Sequence, residues 1–129
     1  MQTVAFPSLP ERFAMAWGFV VLTVLFKDIH ELFRPGFLDE ARSGISNGVP
    51  VSELALLYGG IGVTFLVAMV FLPRLLSLTV NRWTNGIAAI LAAVMLATFP
   101  RNDLDDVWFA LVQLAVLAWV LVAAVRGKG

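Results

Sequence analysis

The chain has no cysteine, a single histidine (His30) and a single tyrosine (Tyr58) in 129 residues. Without thiols there is no disulfide staple, no thiolate metal site, no CxxC redox pair and no cysteine nucleophile. One imidazole cannot supply both axial ligands of a haem, and with scattered carboxylates it forms no recognised metal-ligand spacing. No metal and no cofactor is expected. Charge is also scarce, at 14% of residues and balanced to zero. An average soluble domain carries about 25% charged residues, and a nucleic-acid footprint would be basic, so nucleic acid is not an expected partner. No glycine-rich phosphate loop, HExxH helix or Ser-His-Asp arrangement is present, and no lysine lies between Val107 and Val125 to carry a Schiff base. No catalytic residue is assigned, and the balance leans away from an enzyme.

What remains is apolar. Hydrophobic residues make up 60% of the chain, against about 45–50% in a soluble domain, and the mean hydropathy is +0.87. Charged residues cut this material into uncharged stretches: Leu54 to Leu72, Trp83 to Pro100 and Val107 to Val125. Each approaches the ~20 residues that cross a ~30 Å hydrocarbon core as a helix. The stretches do not alternate, so helices and not barrel strands are expected.

The first apolar stretch, Phe13 to Phe26, is shorter, but its flanks extend it. Ser8 and Glu11 have capping-box spacing with Pro10 in the first turn, which starts a helix near Leu9. Pro35 and Gly36 end it. A charge at the bilayer centre costs about 2.5–3.5 kcal/mol and far less at the edge, so Lys27 and Asp28 are expected near the far interface. A cleaved signal peptide is the rival reading. It is disfavoured because the run has no basic start and no small-x-small cleavage site.

The expected fold is therefore all-α, a single transmembrane four-helix bundle with spans at about 9–33, 52–72, 82–100 and 104–126. The segment 34–51, rich in glycine, proline and asparagine, reads as a loop, with a short surface helix over 37–43. Pro73 closes or kinks the second span, and residues 75–80 form an interfacial connection. Pro100 stops the third span, and Asn102 or Asp103 caps the fourth. Four spans put both termini on one side. That side holds Arg12, Arg74, Arg82, Arg126 and Lys128 against Glu11 alone; the other holds four basic and eight acidic residues. By the positive-inside rule the termini are cytoplasmic and the chain is a multi-pass protein of the cell inner membrane.

Small residues recur at helical spacing: Ala14 and Gly18, Ala55 and Gly59 beside Gly60 and Gly62, Ala88 and Ala92, and Ala89, Ala93 and Ala97. Such rows let helices approach closely, either inside the bundle or between copies. Internal packing is the commoner use. Trp17, Trp83, Trp108 and Trp119 likewise read as interface or packing residues.

The most polar patch is Lys27 to Arg34. Thr23, Lys27, His30, Glu31 and Arg34 share one side of a helix, and Lys27 can pair with Glu31. Asp28 projects about 100° away, toward a neighbouring helix or the outer loop. With Tyr58 and Gln113 at similar depth, Asp28, His30 and Glu31 are the candidate lining of an outward-facing polar pocket. The alternative is a solvated helix end with interfacial anchors. A second constellation, Asn81-Arg82-Trp83-Thr84-Asn85, opens the third span. Asn81 is expected to cap, Arg82 to meet a lipid phosphate or the preceding loop, and Trp83 to sit at headgroup level, while Asn85 needs a partner on another helix.

Two segments resemble an uncharacterised family of small bacterial four-helix membrane proteins, DoxX-like in outline. They are Phe26-Lys27-Asp28-Ile29 through Arg34-Pro35-Gly36-Phe37-Leu38, and Arg74-Leu75-Leu76 through Asn85. The matching positions are Asp28, Pro35, Gly36, Arg74, Asn81, Arg82, Trp83 and Asn85. The resemblance implies a bacterial inner membrane and carries no activity. It also implies relatives with Tyr-Ala-Asp in place of Phe26-Lys27-Asp28, and with a glutamate in place of Thr64. The function expected from all of this is a non-catalytic accessory or oligomer-forming subunit in a lipid bilayer, alone or within a larger membrane complex. The alternative is a protein that binds or transports a small lipid- or quinone-like ligand.

Overall fold

A computed structural model describes residues 6–46, 48–98, 101 and 103–127. Pro100, Asn102 and Lys128, given roles above, lie outside the described residues.

Helix α1 spans Leu9–Glu31. Its start follows from the capping pattern: the Glu11 carboxylate accepts the Ser8 backbone N–H at 2.7 Å and the Ser8 hydroxyl at 2.8 Å, satisfying groups that a helix start leaves open. The helix ends at Glu31, short of the proline, in a run of turns with backbone bonds to Ile29, His30 and Glu31. Gly36 takes a positive φ of 83° and admits the short helix α2, Phe37–Arg42. The expected loop after it is not wholly irregular. Ile45–Ser46 (β1) and Val49–Pro50 (β2) pair antiparallel, Ile45 opposite Pro50 and Ser46 opposite Val49, with Gly48 at φ 77° in the bend. Two residue pairs are too few to show as an alternating pattern in the sequence.

Helix α3 spans Glu53–Phe71, capped by the Ser52 hydroxyl, which accepts the Ala55 N–H at 3.1 Å. Pro73 closes it through a 3-10 turn, Leu72–Arg74. Helix α4 spans Leu78–Thr98. It begins a full turn before the expected position at residue 82, because the Asn81 N–H already bonds to the Ser77 carbonyl at 2.8 Å. Helix α5 spans Leu104–Arg126, with Asp103 at its N-cap.

Each of the four long helices has the length and apolarity to cross a membrane, and together they form an all-α bundle. α1 packs against both α3 and α5, and α4 packs mainly on α5. The core joins Phe13, Trp17 and Val20 of α1 to Ala88, Ala89 and Ala92 of α4 and to Leu117, Val120 and Ala124 of α5. Ala88, Ala89 and Ala92 of the α4 alanine rows are thus used inside the bundle, while Ala97 is exposed. Phe13 meets Trp119 edge-on, so the start of α1 and the end of α5 share one end, the terminal end. The surface is apolar over most of its height, with exposed Leu56, Ile61, Val63, Ile87, Leu91 and Val94 among many others. Water would penalise such a surface; lipid does not.

α3 is the edge of the bundle. Only Gly62 and Met69 of its residues are buried. Gly62 marks its approach to α4, since a Cβ there would lie 2.9 Å from the Met95 methyl. A Cβ at Gly60 would meet nothing within 4 Å. Gly62→Leu is therefore expected to wedge α3 from α4 and lower stability in detergent by about 1–3 kcal/mol. Gly60→Leu leaves the thermal midpoint unchanged or raises it. Equal losses for the two would contradict the packing described.

Candidate functional site

Polar side chains gather at two levels of the bundle. At the end away from the termini, the last turns of α1 meet the start of α5. Lys27 Nζ lies 2.6 Å from Glu31 Oε1 and 3.1 Å from Asp106 Oδ1. His30 Nδ1 stands 3.8 Å from Asp105 Oδ2, and Arg34 Nη1 stands 3.8 Å from Asp103 Oδ2. His30 also meets the Phe109 ring edge-on, and the Arg34 guanidinium lies over Phe37 at 5.3 Å. The result is a ladder in which cations of α1 and its trailing turn face the acidic first turn of α5. The carboxylates also suit the positive end of that helix. The rungs differ in weight. Exposed pairs contribute about 0.2–1 kcal/mol, whereas Asp106 is only 4% exposed, and a buried carboxylate depends more strongly on the groups that face it.

Nearer the termini is a buried amide cluster. The Trp17 indole Nε1–H donates to Asn85 Oδ1 at 2.7 Å. Asn85 Nδ2 donates to the Asn81 carbonyl at 2.8 Å and to Asn81 Oδ1. Asn81 Nδ2 donates to the Pro73 carbonyl at 2.7 Å. Both asparagines are fully buried. Asn81 therefore does not cap α4. It sits inside the first turns and ties the helix to the 3-10 turn before it. Asn85 finds its partner across the bundle on α1. Arg82 reaches the end of α5: its Nε and Nη2 donate to the Ala124 and Val125 carbonyls, each at 2.7 Å. These are carbonyls that the end of α5 leaves open, and a cation there complements the helix dipole. Gly127, at φ 60°, passes so close that a Cβ would collide with the guanidinium. Trp83 and Arg74 are exposed.

The five residues expected to line one pocket do not converge. His30 faces Asp105 and Glu31 faces Lys27. Tyr58 is 64% exposed on the unpacked part of α3. Gln113 is buried two turns below Asp106, its Nε2 without a hydrogen-bond partner. Asp28 forms no hydrogen bond or ion pair among the described residues, although the charges of Lys27 and Glu31 reach it. It lines a groove between α1 and α3 together with Val21, Val24, Leu25, Val63 and Leu66. Thr64, one residue on from Val63, turns its hydroxyl back to the Gly60 carbonyl at 2.8 Å. Among the described residues no group of three or more His, Asp or Glu side chains is placed to hold a metal ion.

Two partners were not identified from the sequence, Trp17 and the aspartates of α5. A signal existed for the second. Lys27, His30 and Arg34 are spaced to meet the run Asp103, Asp105 and Asp106 once the two segments are taken as antiparallel neighbours.

Four membrane-crossing helices, an apolar exterior and polar groups tied between helices define a multi-pass integral membrane protein of the four-helix-bundle class. Within that class, the chain belongs to the family of unknown function DUF6326, which it matches over residues 10–124. That stretch includes all four long helices, the amide cluster and the ladder. No curated protein and no solved structure matches the chain.

The ladder is tested by a double-mutant cycle on Lys27→Met and Asp106→Asn in detergent-solubilised protein. Lys27→Met removes a cation from the buried Asp106 carboxylate and is expected to cost about 1–3 kcal/mol. The double variant should cost less than the two single losses added together. Strict additivity would show that the pair carries no coupling.

Proposed function

We propose that this protein is a non-catalytic subunit of the bacterial inner membrane, with cytoplasmic termini, that associates with copies of itself through the outer half of α3. We also read its outline as DoxX-like. One observation carries the proposal. From Glu53 to Ile61 every residue of α3 is exposed, although the same helix is packed lower down at Gly62 and Met69. A helix end that leaves its neighbours inside the hydrocarbon offers its small residues to something outside the chain. Ala55 and Gly59 stand one turn apart there, beside Gly60, and a Cβ at either glycine would meet open space. Ala88, Ala89 and Ala92 of α4 are consumed by internal packing, whereas this row is not. His30, the one imidazole, faces a carboxylate and a phenyl ring rather than a nucleophile, which also favours a structural role. The arginine and lysine distribution across the two ends supports the orientation.

A second reading has its own observation. Asp28 at the head of an apolar groove favours a site for a small amphiphile, without the contribution of His30 or Tyr58 supposed from the sequence.

The mass of the full chain in mild detergent tests the first reading. The wild type is expected to run as a multiple of the protomer mass. Gly59→Leu, whose Cβ meets no atom of its own chain within 4 Å, should shift it to the protomer mass with helix content and thermal midpoint preserved. A wild type that is strictly monomeric and free of co-purifying partners contradicts the proposal.

A further inference from the structure

Asp28 is the carboxylate at the far end of α1 that the ladder leaves out. Glu31 and Asp106 face Lys27 and Asp105 faces His30, while Asp28 points about 100° round the helix into the groove between α1 and α3. Below it, Val21, Val24 and Leu25 of α1 and Val63 and Leu66 of α3 make walls that carry no polar side chain. No residue of α4 or α5 contributes, so the groove opens sideways to lipid and not into the bundle. Its volume is about 230 Å³, below the roughly 300–1,000 Å³ of sites that enclose drug-sized molecules. A groove of that size walled by aliphatic side chains suits one alkyl chain. A lone carboxylate above an apolar trough is complementary to one kind of occupant, a cationic head on a single apolar tail. Lys27, the nearest cation in sequence, is held by Glu31 and Asp106; its charge reaches Asp28 without forming an ion pair, so the carboxylate oxygens stay open to a further cation.

Resting on the second reading above, we propose that the α1–α3 groove binds a single-chain alkylammonium amphiphile entering from the bilayer, with the ammonium on Asp28 and the tail along Val21, Leu25, Val63 and Leu66. The charge-assisted contact supplies the preference for an amine, and the apolar walls supply tail affinity that does not depend on the head group. Asp28 is a binding residue here, and Val63 controls access to the trough.

The experiment uses the full chain in phosphatidylcholine nanodiscs, with dodecylammonium and dodecanol as probes and native mass spectrometry with thermal shift as readouts. Dodecylammonium is expected to be retained and to raise the midpoint, with dodecanol at least about tenfold weaker. Asp28→Asn should bring the two probes to equal, weak retention. Val63→Phe, which fills the groove and leaves the carboxylate in place, should abolish retention of both, with helix content unchanged. Equal retention of amine and alcohol by the wild type, still blocked by Val63→Phe, overturns the amine assignment while the amphiphile site stands. Retention of neither probe, or retention indifferent to both substitutions, overturns the site itself.

Discussion

Hydrocarbon tails are as apolar as leucine, so a bilayer gives apolar helices no reason to adhere to one another. What holds this bundle is the small set of contacts that lipid cannot replace: hydrogen bonds, ion pairs and close backbone approach. α1 makes most of them. Its Lys27 reaches Asp106 on α5 and its Trp17 reaches Asn85 on α4. Interhelical hydrogen bonds in membranes average about 0.6 kcal/mol and reach about 1.7. Each tie is therefore modest, and the two act at different levels to fix both the tilt and the register of α1. A tie at one level alone would leave a pivot.

The same constraint explains the edge position of α3. It has no buried polar side chain and no ion pair to another helix. Its contacts with the bundle are apolar: Met69 in the core with Leu66 and Val70 packed against it, Phe65 edge-on to Trp17 and Gly62 against Met95. With nothing to hold its outer half, that half diverges and leaves both an unpacked row of small residues and the groove headed by Asp28. The two proposals above rest on this one feature of packing, at successive levels of the helix.

Much of the fold was legible because membrane spans are written in runs of single residues. The uncharged stretches, Ser8 with Glu11 and Pro73 each mark a boundary through local chemistry. The need of Asn85 for a partner was also readable, since a buried amide inside a span has few alternatives. The identity of that partner was not, because nothing local says that α1 and α4 face each other at Trp17. The supposed pocket failed for the same reason. Asp28, His30, Glu31, Tyr58 and Gln113 share a depth, but depth does not specify direction around a helix. Arg82 was misplaced because its target is a pair of backbone carbonyls, which leave no mark in a sequence. The hairpin at Ile45–Pro50 is too short to have a period.

The central claim is that a buried polar clasp between α1 and α4 holds this bundle together. The indole N–H signals of Trp17, Trp83, Trp108 and Trp119 report on it directly, through nitrogen–proton correlation spectra in micelles followed into deuterated water. One signal, from Trp17, should stay protected long after those of the exposed Trp83 and Trp108 have exchanged, and Asn85→Ala should move and deprotect that signal above the others. Exchange of all four at similar rates, or a Trp17 signal indifferent to Asn85→Ala, would contradict the account.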